Sequence, residues 1–313
     1  AENAGAQVIA GIRVDDLIVR DGRVCGVVAG GDELEADVTI LADGVNSLLA
    51  TKLGYLKKPL PSQMAVGLKE IIELPAKTIE DRFQCAAGEG AAWLFAGDAT
   101  KGRIGGGFLY TNRDSISLGV VATLSDLVKG DIPVYQMMDD LKRHPAVAPV
   151  VADGKTIEYS AHTVPEGGYA MVPKLSGDGV LVTGDAAMLC INLGYQVRGM
   201  DFAVASGQMA AQTVDEALKA GDTSETGLAG YRKRLEDSFV LKDLETFQRF
   251  PAFMESCTRM FGVYPQMVRN IMLDMFSVDG SPRQPLKPQI MGEVKQVGKM
   301  NIFHDVKGGL KAL

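Results

Sequence analysis

The sequence predicts a mixed α/β (α+β) fold, and three observations carry that reading. Two apolar stretches, Val38–Ala42 and Gly179–Thr183, are unbroken by polar alternation, as expected of strands buried on both faces, and each runs through an Asp-Gly or Gly-Asp pair toward a helical stretch. Between them, from about residue 63 to 173, short alternating segments follow one another as in an antiparallel sheet. Past residue 223 the apolar residues recur at helical spacing.

In chain order, Gln7–Ala10 reads as a strand following the tail of a helix. Val14–Arg20 and Val24–Ala29 read as strands joined at Asp21-Gly22, a strong two-residue hairpin signal. Leu34–Ala36 adds a short strand. Asp43-Gly44-Val45-Asn46-Ser47 then turns the chain into a helix over Leu48–Leu53. Ala65–Leu74, Ala91–Ala96, Gly105–Tyr110 and Ser115–Thr123 alternate with period two, and one helix, Pro133–Arg143, interrupts them with Met137, Met138 and Leu141 on its apolar side. A long helix over about Met200–Leu218 carries small or apolar residues at Ala203, Ala210, Ala211, Val214 and Leu218. A second, Thr226–Arg249, has Leu228, Tyr231, Leu235 and Phe239 on one face. Phe250–Phe276 is rich in Met and aromatic residues, and the stretch past Ser277 is proline-rich before a Lys/Gly-rich end.

Composition narrows the function. A net charge of −7 argues against a nucleic-acid partner, which calls for a basic surface. It leaves a phosphate-bearing cofactor open, because a helix N-terminus holds phosphate without net positive charge. Cys25, Cys85, Cys190 and Cys257 are too scattered for a Cys-x-x-Cys zinc or iron–sulfur site and fit a reducing cytoplasm. His144, His162 and His304 have no metal-site spacing. No leader segment is visible and no apolar run reaches the roughly 18 residues of a membrane-spanning helix. The expectation is a cytoplasmic protein, peripheral at most on the inner face of a membrane.

The stretch most informative about chemistry is Gly179–Ala203. Gly184 permits a sharp turn where the chain leaves the sheet, and Asp185 is placed to accept hydrogen bonds from the hydroxyls of a sugar-like chain. Gly194 and Gly199 let the backbone approach a flat ligand. The N–H groups at Gly199 and Met200 would face a carbonyl or anion, favoured by the helix dipole. Ala203, Ala205, Ser206 and Gly207 keep the helix slim. From spacing alone a plain strand–loop–helix crossover explains the glycines equally well.

The order Gly-Asp-Ala-Ala (184–187), Asn-Leu-Gly-Tyr (192–195), Val-Arg-Gly-Met-Asp (197–201) and Ala203 resembles the third FAD fingerprint of the glutathione-reductase-like, p-hydroxybenzoate-hydroxylase-like flavoproteins. More narrowly, it resembles FixC and the electron-transfer-flavoprotein:quinone oxidoreductases. Val38–Ser47 is similar to that family's strand ending in Ala-Asp-Gly-x-x-Ser, and Val294–Leu313 resembles the FixC tail. The resemblance implies FAD as cofactor, with Asp185 on its ribityl or pyrophosphate side, Gly199 and Met200 at the flavin pyrimidine oxygen, and Gly184, Gly194, Asp43 and Gly44 close by. Arg198 is then the one positive charge beside the flavin. No catalytic proton-transfer residue is required.

The family's opening Gly-x-Gly-x-x-Gly does not occur in this chain, and Gly105-Gly106-Gly107 is no substitute. The resemblance therefore implies a Rossmann-like FAD-binding lobe, incomplete at its N-terminus, made of residues 1–62 and 174–222. An antiparallel substrate lobe over 63–173 and a C-terminal helical region over 223–313 complete it. Such a chain is expected to bind FAD weakly or not at all without the missing segment.

The implied activity is an FAD-dependent oxidoreductase, passing electrons from an electron-transfer flavoprotein to a quinone or a ferredoxin-like protein. A geranylgeranyl-reductase-like enzyme acting on isoprenoid double bonds shares the fold and the Gly-Asp motif. A non-catalytic, cofactor-free relative of the fold is the reading from another class. Asp201 reads as an ordinary first-turn carboxylate and Cys190 as a buried thiol. The Met/aromatic run reads as core helices, with peripheral membrane contact as its functional counterpart.

Overall fold

Asp21 and Gly22 both take the positive φ that a two-residue hairpin loop demands, 51° and 83°. Around them the chain, described in the computed structural model from Ala1 to Leu313, resolves into its elements. The strands are β1 (Val14–Arg20), β2 (Arg23–Ala29), β3 (Asp32–Glu35), β4 (Thr39–Leu41), β5 (Met64–Glu73), β6 (Ala92–Phe95), β7 (Gly105–Thr111), β8 (Ser115–Thr123), β9 (Lys155–Pro165), β10 (Ser176–Gly177) and β11 (Val180–Val182). The helices before the fingerprint are α1 (Leu48–Lys52), α2 (Ala76–Phe83), α3 (Leu124–Leu127), α4 (Val134–Arg143) and α5 (Ala148–Val151). After it come α6 (Met200–Ala220), α7 (Glu225–Leu228), α8 (Gly230–Asp237), α9 (Phe239–Thr246), α10 (Phe250–Ser256), α11 (Val263–Phe276), α12 (Leu286–Val297) and α13 (Lys299–Ala312).

These elements form two compact units. The first comprises Ala1–Lys58, Tyr169–Cys190 and Arg198–Glu245; the second comprises Pro59–Gly168, Ile191–Val197 and Thr246–Leu313.

In the first unit β1, β2 and β3 form an antiparallel meander, and β4 pairs in parallel with β11, which pairs antiparallel with β10. Residues 180–182 are fully buried, as an unbroken apolar strand should be. Residues 39–41 are less so. Ile40 is 40% exposed, because β4 is an edge strand with β11 on one side only. Gln7–Ala10 forms no strand: these residues have no ladder partner, and Val8 and Ile9 face solvent. The expected helix 226–249 is three pieces. Ser238 breaks it in extended conformation, its hydroxyl donating to the Leu235 carbonyl (2.8 Å) and accepting from the Val240 N–H (3.1 Å). That local alternative to the helical ladder is characteristic of serine.

The second unit is built on a five-stranded antiparallel sheet, β6-β7-β8-β5-β9. On one face Leu68, Ile72, Leu109, Ile116, Leu118 and Val120 pack against Met137, Met138 and Leu141 of α4. β9, eleven residues long, lies outside the expected strands although Ile157, Tyr159 and Ala161 alternate with Glu158, Ser160 and His162; most of it is exposed at the sheet edge. Asp305 on α13 is buried. It accepts two hydrogen bonds from Arg259 (2.7 Å each) and one from the Tyr264 hydroxyl. The guanidinium holds its pKa down at about 2.

A depressed carboxylate contributes stability above its unfolded value of 3.8, and that stability is lost as pH falls through about 2. Asp305→Asn should therefore lower the melting stability by about 2–3 kcal/mol at neutral pH. The gap to the wild type should narrow as pH falls below about 4 and close near pH 2 in a thermal melt series.

Candidate functional site

The parallel pair β4/β11 delivers two chain ends to the same place. Val182 is in register with Leu41, and the Thr183 N–H donates to the Leu41 carbonyl (3.0 Å). Asp43 and Asp185 thus both follow the carboxyl ends of adjacent parallel strands, where open α/β sheets present ligand sites. Asp43 is exposed, and one of its carboxylate oxygens accepts the Leu49 N–H at the start of α1 (3.2 Å). Gly44 takes φ 77° with open space where a Cβ would stand. Ser47, buried with φ 42°, donates its hydroxyl hydrogen to the Ala186 carbonyl (2.8 Å) and so ties the first turn to the second.

The second turn is held from three sides. Gly184 takes φ 60°, and a Cβ there would lie 3.3 Å from the Ala203 methyl carbon of α6, so both the conformation and the close packing call for glycine. The Ser206 hydroxyl, fully buried, accepts the Gly184 N–H (3.1 Å) and meets the Thr183 hydroxyl at 2.7 Å. The buried Tyr231 hydroxyl donates to the Val182 carbonyl (3.0 Å), and desolvation pushes its pKa up to about 12. α6 therefore buries Phe202, Ser206, Ala210, Thr213 and Ala217. Of the face expected from apolar spacing only Ala210 belongs to it, and Leu218 is 48% exposed. The hydroxyls won the inward positions because the turn needs donors and acceptors there.

The same arrangement brings Asp185 to the start of α6. A Cβ built on Gly199 would lie 3.8 Å from an Asp185 carboxylate oxygen and 3.5 Å from the sulfur of Cys190, which is buried. Gly199, the N-cap, has no side chain with which to cap the helix, and the first internal hydrogen bond runs from the Ala203 N–H to the Gly199 carbonyl (2.8 Å). The N–H groups of the first turn therefore lack intrahelical partners, beside an Asp185 carboxylate and under an exposed Met200. Such a set binds a hydroxylated chain at the carboxylate and a carbonyl or anionic oxygen at the helix end.

Arg198, read from the sequence as the lone positive charge at this place, is not alone. It donates to Asp201 (2.8 Å) and to Asp243 on α9, and it lies over the rings of Phe202 and Phe239 at 4.6 and 5.4 Å. One cation between two carboxylates leaves a negative cluster. Its geometry pins the start of α6 to α9. Asp201 is accordingly an ion-pair partner as well as a first-turn acid, while Asp243 carried no sequence signal. Gly194, with φ 77°, belongs to the second unit, where its N–H donates to the Asn192 side-chain carbonyl (2.8 Å).

Two family profiles match the chain: the ubiquinone-binding domain of ETF-QO over residues 64–164 and the C-terminal domain of the ETF-QO/FixC family over 250–313. Among curated relatives, a probable electron transfer flavoprotein-quinone oxidoreductase, YdiS, of Escherichia coli K12 is 52% identical over 313 residues. The match covers 100% of this chain and 73% of the relative. Protein FixC of the same strain is likewise 52% identical with the same coverage. Among solved structures, a geranylgeranyl bacteriochlorophyll reductase-like protein from Thermoplasma acidophilum superposes with a TM-score of 0.64 at 17% identity, covering 98% of this chain and 72% of that one. At that identity the likeness shows the fold alone.

Two substitutions separate the turn's architecture from its use. Ser206→Ala should cost about 1–3 kcal/mol of stability, since it strips the Gly184 N–H of its partner in a buried site. Gly199→Ala meets only ordinary van der Waals neighbours at an extended φ of −160°. It should change the melting temperature little while weakening flavin binding roughly tenfold or more, about 1.4 kcal/mol, read as visible absorbance retained through gel filtration.

Proposed function

We propose, for a chain that belongs to the ETF-QO/FixC family, that it is an FAD-dependent oxidoreductase passing electrons from an electron-transfer flavoprotein to a quinone. The observation that carries this reading is the approach of Asp185 to the start of α6 within one unit, joined to the match of residues 64–164 to a ubiquinone-binding domain. The residues present are of the kind that fit the nucleotide. Asp185 takes hydroxyls of the ribityl side, and the N–H groups of Gly199 and Met200 take a pyrimidine oxygen. Gly184 admits the close packing of Ala203, and Gly199 adds no side chain at the helix end, with Asp43 and Gly44 beside them. A bound flavin supplies the electron transfer.

The chain's own groups bind and orient. Ser206, Ser47 and Tyr231 lock the two turns, and the Arg198–Asp243 pair fixes the helix end, so that donors meet the ligand without reorganising. In this reading the first unit holds the cofactor and the second receives the quinone. No helix is long and apolar enough to cross a membrane. A quinone acceptor, being a membrane lipid, fits peripheral contact by the second unit. The likeness to the geranylgeranyl reductase-like structure extends to the fold and gives no separate support for isoprenoid reduction.

The test is the protein at its natural length, mixed anaerobically with reduced electron-transfer flavoprotein. The flavin absorbance should bleach on mixing and recover when a short-chain quinone is added. Asp185→Ala should lower flavin occupancy at least tenfold, about 1.4 kcal/mol or more. Bound flavin that no electron-transfer flavoprotein reduces would overturn the assignment.

A further inference from the structure

Quinone reduction consumes protons as well as electrons, and the second unit contains a carboxylic acid placed to move them. Glu166 follows β9 and is 5% exposed. One carboxylate oxygen accepts the Thr123 hydroxyl (2.7 Å) and the other the Asn192 side-chain amide (2.8 Å). No lysine, arginine or histidine pairs with it, an uncommon condition for a buried acid and one that costs several kcal/mol if the group is ionised. Burial raises its pKa, more strongly than its two donors lower it.

The surroundings lead outward. Glu166 walls a cavity of ≈ 10 Å³, room for about one water molecule, shared with Ser62, Ile104, Thr123, Met254 and Glu255. Ile104 and Glu255 also wall a second cavity of ≈ 320 Å³. The other charged groups facing that larger cavity are Lys101, Arg103, Asp126 and Lys129. Glu255 on α10 is exposed. On the inner side, Thr123 ends β8 on the sheet face that carries Ser115, Ser117, Gly119 and Val121, with the Phe108 ring of β7 against Gly119, opposite the packed face of Ile116, Leu118 and Val120.

Resting on the quinone assignment above, we propose that Glu166 is a proton relay that connects Glu255 at the surface, through a single water site, to Thr123 and a quinone on that sheet face. In each transfer the Thr123 hydroxyl, which donates to the Glu166 carboxylate at rest, first turns its hydrogen toward a quinone oxygen once Glu166 is protonated; that hydrogen then passes to the quinone as the carboxyl O–H of Glu166 breaks toward the Thr123 oxygen. The Glu166 carboxylate is then reprotonated from the cavity water, and that water from Glu255 and bulk solvent. Two protons by this route and two electrons, supplied by the donor flavoprotein through the flavin, convert one quinone to one quinol.

The experiment uses the flavin-loaded protein of natural length, wild type, Glu166→Gln and Glu255→Gln. Three rates are read: reduction of the flavin by electron-transfer flavoprotein, turnover with ferricyanide, which takes electrons without protons, and turnover with a water-soluble quinone. Glu166→Gln should leave the first two within about twofold and slow the quinone rate by about tenfold or more. Glu255→Gln should slow it by roughly twofold to threefold. Because the folded pKa of Glu166 is raised, the wild-type quinone rate should fall as pH rises through it, and that limb should vanish in Glu166→Gln. In an infrared pH series the wild type should show a protonated carboxylic C=O band, absent in Glu166→Gln, that persists to higher pH than an ordinary carboxyl, a reading independent of turnover. Equal losses with ferricyanide and quinone, or no such band, overturn the relay. A wild-type flavin that electron-transfer flavoprotein does not reduce overturns the electron-transfer assignment instead. Should Glu166→Gln fail to fold, an unchanged quinone rate in Glu255→Gln overturns the relay by itself.

Discussion

The Ser206 hydroxyl, buried between α6 and the carboxyl end of β11, is the contact on which the candidate site depends. It accepts the Gly184 N–H and meets the Thr183 hydroxyl, so a turn with φ 60° is held against the helix that follows it in the chain. Glycine adopts this left-handed conformation without strain, and the surroundings fix its position. Here Ala203 packs on Gly184, Ser47 reaches the Ala186 carbonyl, and Tyr231 takes the Val182 carbonyl. The same contacts fix where Asp185 lies relative to Gly199. Binding geometry and fold stability are therefore one constraint in this unit.

The second unit solves a different problem. Its sheet buries one face against α4, while the other carries Ser115, Ser117, Gly119, Val121 and Thr123 along β8 and the stacked rings of Phe108 and Tyr110 on β7. Glu166 caps that face from the end of β9 and holds Asn192, whose side-chain carbonyl in turn takes the Gly194 N–H. The chain leaves the first unit after Cys190 and returns to it at Arg198; the intervening residues 191–197 belong, like Glu166, to the second unit.

Legibility followed the strength of local chemistry. Asp21-Gly22 specifies its turn almost unaided, and β8 shows its period because Ile116, Leu118 and Val120 alternate with Ser115, Ser117 and Gly119. β9 carries a comparable alternation, Ile157, Tyr159 and Ala161 against Glu158, Ser160 and His162, but on an edge strand its apolar side chains Ile157 and Tyr159 stay exposed. The break at Ser238 was hidden because a capping hydroxyl looks like any surface serine in a helical pattern. At the site, Gly184, Asp185, Gly199 and Met200 stood out by motif, and the structure brings Asp185 beside the start of α6. Ser206, Tyr231 and Asp243 did not stand out. Their partners lie 22, 49 and 45 residues away, a separation over which sequence carries no pairing signal. Arg198 shows the limit most plainly: its residue type was visible, but the two carboxylates and two rings that engage it were not.

The central claim is that the turn at 184–185 and the helix start at 199–200 together grip a flavin nucleotide. A crystal structure of the natural-length protein with FAD bound tests it most directly. In that structure an Asp185 carboxylate oxygen should be hydrogen-bonded to the ribityl or pyrophosphate-proximal hydroxyls, and a pyrimidine oxygen should accept from the Gly199 or Met200 N–H. Flavin density elsewhere, with Asp185 and the start of α6 contacting only protein, would contradict it.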